Sequence, residues 1–522
     1  LKDTKKVSET DWNNAIDALA DVKNYIYILL VSTVYILVLH NKYYDITKTR
    51  YAWFVGISCL FIVTSLLVAL ISCTLGGVRA GDFVKSVKSN LPFVMLGVFL
   101  LANIVACFMG QSLETKGKDG TMSMHAFYGD NGRFMGLAMY IILCLVAGIL
   151  AKSYRGFDSL YVIFAAVILF TLILALVQHT GVDVFSLKDG IKSGQYDKFI
   201  STMGNINIFA SYMVIVIGAA FGAYIYGCSK IPFKVLYAVV LFVCGMTIMT
   251  ANSDSAYLGL GVILFAGVLT GAYNGKLKEL LEAGMIFFAG NLLTAIWHTQ
   301  MESYPDYGGI AHKLDNVKVA AVPVIGFAVL YAVTIAVKKY SKREFRKKLF
   351  VPVFVACAVI AVCVFVLYGI KSGDSLFKFD YKWGTYRGYI WSKCWETFRE
   401  APLANKLFGY GNESIKQVVT TPNYNDMIEK TNRIYDNAHN EVLQYLLTLG
   451  IFGALSYIAL FVSAIWYMCR YGAKTIHTYI PVFVVCGYFT QGLVNLNQPI
   501  TTPLFFVFLG MGVGYAAYSK NN

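Results

Sequence analysis

Charge is what this chain has least of. Only 14% of its 522 residues are Asp, Glu, Lys or Arg, against roughly 25% in a soluble domain. Hydrophobic residues make up 57% and aromatics 15%. The deficit is too large for a big soluble core, so lipid is the solvent for most of the chain. Other absences narrow the function. No Asp-x-Asp-like carboxylate pair, metal-ligand spacing or phosphate-cradling glycine loop occurs, which predicts metal-independent chemistry with no cofactor. No soluble basic domain accompanies the net charge of +14, so nucleic acid is not implied; basic loops at an anionic leaflet account for most of it. The eleven cysteines form no disulfide framework. Most, such as Cys59, Cys144, Cys244 and Cys363, lie inside apolar runs, and Cys394 stands alone in a long polar segment.

What is present is apolar runs. A helix needs about 20 apolar residues to cross a bilayer. Runs near 24–40, 51–73, 91–109, 135–151, 158–178, 205–226, 232–250, 255–273, 281–297, 318–338, 350–369, 449–468, 478–495 and 502–518 predict about fourteen transmembrane helices. The ninth is the weakest, because Glu279, Glu282 and Asn291 flank or interrupt it. Continuous rather than alternating runs exclude an outer-membrane barrel. The expected fold is an all-α polytopic membrane protein. In the first 23 residues, Lys2, Lys5, Lys6, Glu9 and Asp11 mix charges, while Trp12, Ile16, Leu19 and Val22 recur at helical spacing. That pattern predicts an amphipathic segment on the membrane surface, leading into an uncleaved anchor.

Lys and Arg in short loops set the orientation. KKYSKREFRKK at 338–348, KSYR at 152–155, KLK at 276–278, and Arg470 with Lys474 all vote for one side, the cytoplasm, together with both termini. The loop 41–50, with Lys42, Lys48 and Arg50, dissents. The chain divides into a cytoplasmic segment 1–23, helices one to eleven over 24–369, a large external loop over 370–448, and helices twelve to fourteen over 449–518. An ordered loop that long usually has a function.

The polar motifs collect on the loop side. GNINIFASY at 204–212 opens the sixth span with Asn205 and Asn207. NSDSAYLG at 252–259 turns between two spans and exposes Asp254. Gln491, Asn495, Asn497 and Gln498 cluster where the thirteenth span surfaces. Each alone reads as helix capping. Within the long loop, Arg387, Trp391, Trp395 and Phe398 fall near one helical face. Arg387 could be an interfacial residue snorkelling to water. Further on, DNAHNEVLQYLLTLGIFG at 436–453 offers Asp436 or Asn437 as the N-cap of a helix running through Gly450. Asn440, Gln444 and Thr448 then form a polar stripe facing inward, with His439 in the first turn. A helix N-terminus disfavours an imidazolium and favours a bound anion. A neutral imidazole beside an anion is what a general base needs, though a lone histidine is more often simply hydrogen-bonded.

The pattern His439, Asn440, nine residues, Gly450, two residues, Gly453 resembles the signature of the O-antigen ligase and Wzy polymerase superfamily. Arg387 and Trp391 in RGYIW, Pro402, Gly409, Gly411 and the GNINIFA stretch are similar to that family too, over roughly 200–522. The resemblance implies a lipid-carrier glycosyltransferase (GT-C-like) fold. It also implies a surface-polysaccharide enzyme acting outside the cell membrane. The donor would be a glycan on a polyprenyl diphosphate of the undecaprenyl type, and the acceptor a glycan, lipid or protein hydroxyl. His439 would be the general base and Arg387 the group holding the departing diphosphate. Arg433, Asn440, Gln444, Asp254, Asn205, Asn207 and Trp391 would line the substrate site. One departure stands out. Many ligases of this family carry a Ser-Arg turn where this chain reads Ser253-Asp254-Ser255, so Arg433, Arg133 or Lys382 would have to supply the cation. Asp254 is expected to pair with such a cation, Arg433 in particular, or to be a water-exposed cap. His298 and His312 are further bases on the same face. The rival readings are a lipid-linked oligosaccharide flippase or polysaccharide transporter, and a scaffold in a glycan-assembly complex.

Overall fold

Lipid offers a backbone no hydrogen-bond partner but itself, and the apolar runs answer by folding as helices. The computed structural model describes residues 9–75, 90–110, 125–129, 132–227, 230–302, 304–305, 307–340, 347–373 and 378–522. Among these, a helix stands at every predicted place. They are Glu9–Ser32, Ile46–Leu75, Leu91–Gly110, Leu137–Ser153, Asp158–His179, Ile206–Tyr226 and Ile231–Thr247, then Asp254–Asn274, Leu277–His298, Val317–Tyr340, Lys347–Ser372, Gly450–Tyr471, Ile476–Gly492 and Thr502–Asn521. Eleven helical stretches among the described residues are long and apolar enough to cross a bilayer. Leu137–Ser153 and Ile476–Gly492 have 17 residues each. At about 1.5 Å per residue they fall just short of the roughly 30 Å hydrocarbon core. The strands among the described residues are one antiparallel pair of two residues each, Phe199–Ile200 and Gly204–Asn205. The protein is an all-α polytopic membrane protein.

Ile206–Tyr226 is the hub, with nearly every residue buried. Its Gly218 and Gly222 lie against the backbone of Phe483 and Ile480 in Ile476–Gly492, the close helix approach that small residues allow in lipid. At the ninth span the polar residues do not interrupt the helix. The Glu282 carboxylate accepts from Lys234 Nζ at 2.9 Å, Tyr331 OH at 3.1 Å and Tyr224 OH at 3.2 Å, and Asn291 is buried in the interior.

The first helix differs from expectation. Glu9–Ser32 is continuous, so the amphipathic segment and the first span are one element. Only Ile16 of its four apolar positions is buried, while Trp12, Leu19 and Val22 are exposed. Lys2, Lys5 and Lys6, and positions 341–346 of the most basic loop, lie outside the described residues. Of the cations in the dissenting loop, Lys48 is exposed while Arg50 turns inward. Its side chain is buried, with Nη2 donating to the carbonyls of Ile36 at 2.6 Å and Thr202 at 2.7 Å. It acts as an internal clamp, not as a charge presented to a membrane surface.

Hydrogen bonds tie the polar motifs together at one end of the bundle. Asn495 Nδ2 donates to the Asn207 carbonyl at 2.9 Å, and Gln491 Nε2 to Ser255 Oγ at 3.4 Å. Asn497 Nδ2 donates to Tyr140 OH at 2.6 Å and to Tyr445 OH at 3.3 Å. The long loop folds over this end. Its helices, including Trp383–Glu400, Tyr424–Thr431 and Glu441–Thr448, enclose a small core of Ile390, Cys394, Ile415, Val419, Met427, Ala438 and Leu447. Gly411 N donates to the Thr448 carbonyl at 2.9 Å, which fastens the middle of the loop to its end.

The predicted helix through Gly450 breaks there. Glu441–Thr448 ends, Gly450 adopts φ +71°, and Gly450–Tyr471 begins. A Cβ at Gly450 would come within 2.3 Å of the Leu407 carbonyl. A left-handed backbone costs an ordinary residue about 1–3 kcal/mol, and the clash with backbone adds to it. Gly450→Ala is therefore expected to lower the thermal midpoint in detergent sharply, while Gly326→Ala, facing open space, leaves it nearly unchanged. Equal midpoints would mean the break is not needed.

Candidate functional site

The turn that carries His439 is held by its backbone. Ala438 N–H donates to Gln444 Oε1 at 3.0 Å, and the Ala438 carbonyl accepts from Trp391 Nε1 at 2.9 Å. His439 N–H donates to Asn437 Oδ1 at 2.7 Å. His439 itself takes a left-handed backbone, φ +49°, a conformation that persists only when its surroundings fix it. Asn440 is the N-cap of Glu441–Thr448, accepting from Leu443 N at 3.0 Å. The cap thus falls on Asn440, not on Asp436 or Asn437, and His439 precedes the helix instead of lying in its first turn. The physical reason is that the two earlier residues are already committed. Asp436 forms a two-pronged ion pair with Arg133, with Nε at 3.1 Å from Oδ2 and Nη2 on Oδ1, and Asn437 serves the His439 amide.

His439 presents its ring beside Tyr435, edge to face at 5.7 Å between centroids. Its Nδ1 is buried and has no hydrogen-bond partner among the described residues. Burial, and after it the guanidinium charges of Arg387 and Arg133, lower the imidazole to about 3, with Asp436 opposing them. The ring is therefore neutral, with a lone pair available. Burial also lowers Arg387, against the opposing influence of Tyr435 and Asp254. Arg387 Nη1 donates to the Gly384 carbonyl at 3.1 Å, and its Nε is buried with no partner among the described residues. A three-residue left-handed turn, Gly384-Thr385-Tyr386, aims Arg387, and Tyr435 OH locks that turn by donating to the Thr385 carbonyl at 2.9 Å. Burial works to raise the Asp436 carboxyl, but Arg133 outweighs it and holds the group below the usual carboxylate range.

The other predicted residues divide. Gln444 and Trp391 lie at the site, each spending a polar group on the backbone of Ala438. Trp395 is exposed and stacks on Phe398, so the expected aromatic face splits between the His439 turn and the surface. Asn205 caps its own helix by accepting from Asn207 N at 2.9 Å, and Asn207 contributes its carbonyl to Asn495. Asp254 is exposed, and its charge acts on Arg387. Its Oδ1 accepts from the Ile310 amide at 2.8 Å, while Arg433 stands exposed beside Tyr435. The carboxylate is thus held by the neighbouring segment 308–310 while its charge still acts on Arg387. Lys382 lies over the Tyr381 ring at 5.5 Å. His298 is buried with His179 and Asp315, at 3.0 Å Nε2 to Nε2 and 2.5 Å Nδ1 to Oδ1, and His312 is exposed. Among the described residues, no group of three or more His, Cys, Asp or Glu side chains is placed to hold a metal ion.

Glu441 was not foreseen. It is buried beneath the turn, accepting from Tyr457 OH at 2.7 Å and Tyr488 OH at 3.2 Å. Burial pushes its carboxyl up to about 7 against those hydrogen bonds. The signal was a carboxylate following His439-Asn440 at the mouth of an apolar helix. Tyr488 OH continues to Thr502 Oγ1 at 2.8 Å, so Glu441 roots the turn in two spans and in the start of a third.

Residues 319–458 match the O-antigen ligase family. The matched segment takes in Val319 onward through the long loop to the first turns of Gly450–Tyr471. It contains Arg387, Trp391, Arg433, His439, Asn440 and Gln444, and supports placing the chain in the O-antigen ligase and Wzy superfamily. Of the ligase-family segment, Gly450 explains itself in geometry, as the left-handed break against Leu407. No curated protein matches the chain.

Trp391 and Gln444 grip the two peptide groups on either side of Ala438, which makes their effects on stability interdependent. Trp391→Phe keeps the ring and removes its N–H; Gln444→Leu removes the acceptor. Each is expected to cost about 1–3 kcal/mol, the penalty for a buried polar group left unpaired. In a double-mutant cycle read by denaturation in detergent, the two should couple by more than about 0.5 kcal/mol. Strict additivity would show that Ala438 is not their shared partner.

Proposed function

We propose that the chain is an inverting membrane glycan transferase that moves a polyprenyl-diphosphate-linked glycan onto an acceptor hydroxyl. The observation that carries this reading is the buried Nδ1 of His439, without a hydrogen-bond partner among the described residues, in a ring on which the charges of Arg387 and Arg133 act. In the proposed reaction the acceptor hydroxyl attacks the anomeric carbon from the face opposite the diphosphate. Its O–C bond forms as the C–O bond to the diphosphate breaks, and the bonding pair leaves with the diphosphate. The acceptor proton goes to His439, and the negative charge gathering on the leaving group is met by Arg387. Arginine suits that task because its planar fork stays charged and binds phosphate oxygens in pairs. Trp391, Gln444, Asn437 and Asn440 position the base in this scheme; Arg133 tunes it through Asp436.

A base at about 3 is weak while the site is empty. The same two guanidiniums that depress it would be offset by the two negative charges of a diphosphate diester, so donor binding would restore basicity to His439. Base strength then tracks occupancy. The reading includes fourteen spans of the lipid-carrier glycosyltransferase (GT-C-like) type, the loop 370–448 and its site outside the cell membrane, and both termini in the cytoplasm. The four-part division at 23, 369 and 448 belongs to it as well. A flippase would have no use for a partnerless base. Covalent transfer by purified protein in detergent, where no closed vesicle exists, separates the two.

Loss of a general base costs about 10²–10⁴ in rate, so His439→Ala should abolish detectable transfer while the protein still inserts. Arg387→Lys is expected to be nearly as damaging as Arg387→Ala, because a point charge cannot reproduce the two-pronged grip. Wild-type turnover in either His439→Ala or Arg387→Lys would overturn the assignment.

The pH profile follows from the depressed imidazole. Its protonated form cannot accept a proton, and in the free enzyme that form appears only near 3. kcat/KM, which reports the free enzyme, should therefore stay level from about pH 8 to about pH 5. Arg387→Gln removes one of the charges that lower the imidazole, so the acid limb of the residual activity should move upward. A wild-type limb in the ordinary histidine range would contradict the arrangement.

A further inference from the structure

The His439 end of the bundle carries a second group of titratable side chains, which the transfer scheme leaves unused. His179 and His298 are the last residues of Asp158–His179 and Leu277–His298, and both are buried. Their Nε2 atoms face each other at 3.0 Å, and Tyr307 OH lies 3.0 Å from the same His179 nitrogen. On the far side of His298, Nδ1 lies 2.5 Å from Asp315 Oδ1, and Asp315 Oδ2 accepts from Tyr304 OH at 2.7 Å. Tyr304 stacks on His298 with ring centroids 4.2 Å apart, and Tyr307 lies parallel to His179 at 5.8 Å. Both imidazoles are thus held with Nε2 turned toward one point.

Protons serve this arrangement poorly. An imidazole nitrogen offers one in-plane position, either a proton or a lone pair, and His179 Nε2 meets two partners with it. On His298 the carboxylate takes the Nδ1 proton, which leaves the Nε2 lone pair aimed at His179. A single metal ion takes all three lone pairs at once. We infer that His179 Nε2, His298 Nε2 and Tyr307 OH bind a divalent first-row transition ion of the Zn²⁺ class. At about 2.0–2.1 Å from each nitrogen, the 3.0 Å separation corresponds to an N–metal–N angle of about 95°. Opening it by about 0.3 Å makes the angle tetrahedral. Imidazole selects such ions over Mg²⁺ and Ca²⁺, which favour oxygen ligands. The Asp315–His298 contact is the outer partner that a metal-bound histidine almost always has. The set is two imidazoles and a phenol, so it differs from a cluster built of His, Cys, Asp and Glu alone.

The ion is structural. It staples the ends of two spans to the segment that also holds the turn before Asp254–Asn274. There Gly308 N–H donates to Asn252 Oδ1 at 2.9 Å and Ile310 N–H to Asp254 Oδ1 at 2.8 Å. It takes no part in the proposed transfer, and the inference stands whether or not the chain transfers glycans.

The test uses the full chain purified in detergent, stripped with a chelator and dialysed. Added Zn²⁺ is expected to bind as a single ion per chain and to raise the thermal midpoint by about 2–4 °C, as a ligand of the folded state alone does. Co²⁺ should take its place with the visible d–d absorption of a nitrogen-ligated site, and excess Mg²⁺ should displace neither. His179→Gln and His298→Gln should each abolish the bound ion and the shift. Asp315→Asn should weaken binding about 10–100-fold. His312→Gln, at an exposed position on the same face, and His439→Gln should leave binding intact. Stripped wild-type protein that takes up no Zn²⁺, or takes up Co²⁺ without that absorption, overturns the inference. So does an ion held at full affinity by both His179→Gln and His298→Gln, because it then sits elsewhere. Should those two variants fold poorly, Tyr307→Phe and Asp315→Asn carry the comparison, and a cobalt spectrum and affinity unaltered in both overturn it.

Discussion

An imidazole kept neutral between two guanidinium groups is the constraint on which the polar end of this protein depends. Two positive charges and burial both act against protonation of His439, so the lone pair persists where an exposed histidine would titrate. Holding the groups together is costly. Arg387 and His439 are each drawn out of water, and His439 adopts a backbone that side chains avoid. The compensation is spread over the loop. Asp436 neutralises Arg133, while Trp391, Gln444 and Asn437 satisfy the peptides on either side of the ring. Without that scaffold the two cations would separate, and the imidazole would return toward its ordinary range.

The loop's small core explains why the two charged elements keep their spacing. Arg387 follows a left-handed turn, and Tyr435 OH ties that turn to the segment leading into His439. Arg387 and the histidine turn are thus fixed to each other before either meets a substrate, as preorganised electrostatics requires. Below them Glu441, Tyr457 and Tyr488 carry the constraint into the spans. A carboxyl buried at that depth is tolerated because two phenol hydroxyls donate to it.

What the sequence made legible follows from which forces are local. Apolar run length alone located the helices, since in lipid a backbone has no alternative to bonding itself. The gathering of Asn207, Asp254, Asn440 and Asn495 at one end was legible for the same reason, because polar residues interrupt the runs there. Which residue does what was not legible. Asp436, Asn437 and Asn440 are equal as caps by residue type, and the choice was made by Arg133, some three hundred positions away. Asp254 was expected to pair with a cation or to be a water-exposed cap, and its bond to the Ile310 amide, from a distant segment, was in neither reading. For Gln444 and Trp391 the bonds to Ala438 were not legible, since only folding brings both to one residue's backbone. Ion pairs and peptide clamps depend on contacts that no periodicity encodes.

The two ends of the bundle solve opposite electrostatic problems with the same residue types. Near His439, Arg133 is balanced by Asp436 and Arg50 is buried against two carbonyls. Positive charge there is held inside the fold, available only to a ligand that enters. At the far end Lys152 and Lys520 are exposed and Arg155 reaches across to the first helix. Positive charge there faces outward, where the membrane surface can meet it. Loop composition counts both kinds of cation alike, and 41–50 holds both, an exposed Lys48 and a clamped Arg50. Burial separates them: a cation clamped by carbonyls contributes to fold and field, and only an exposed one reports on the side of the membrane it faces.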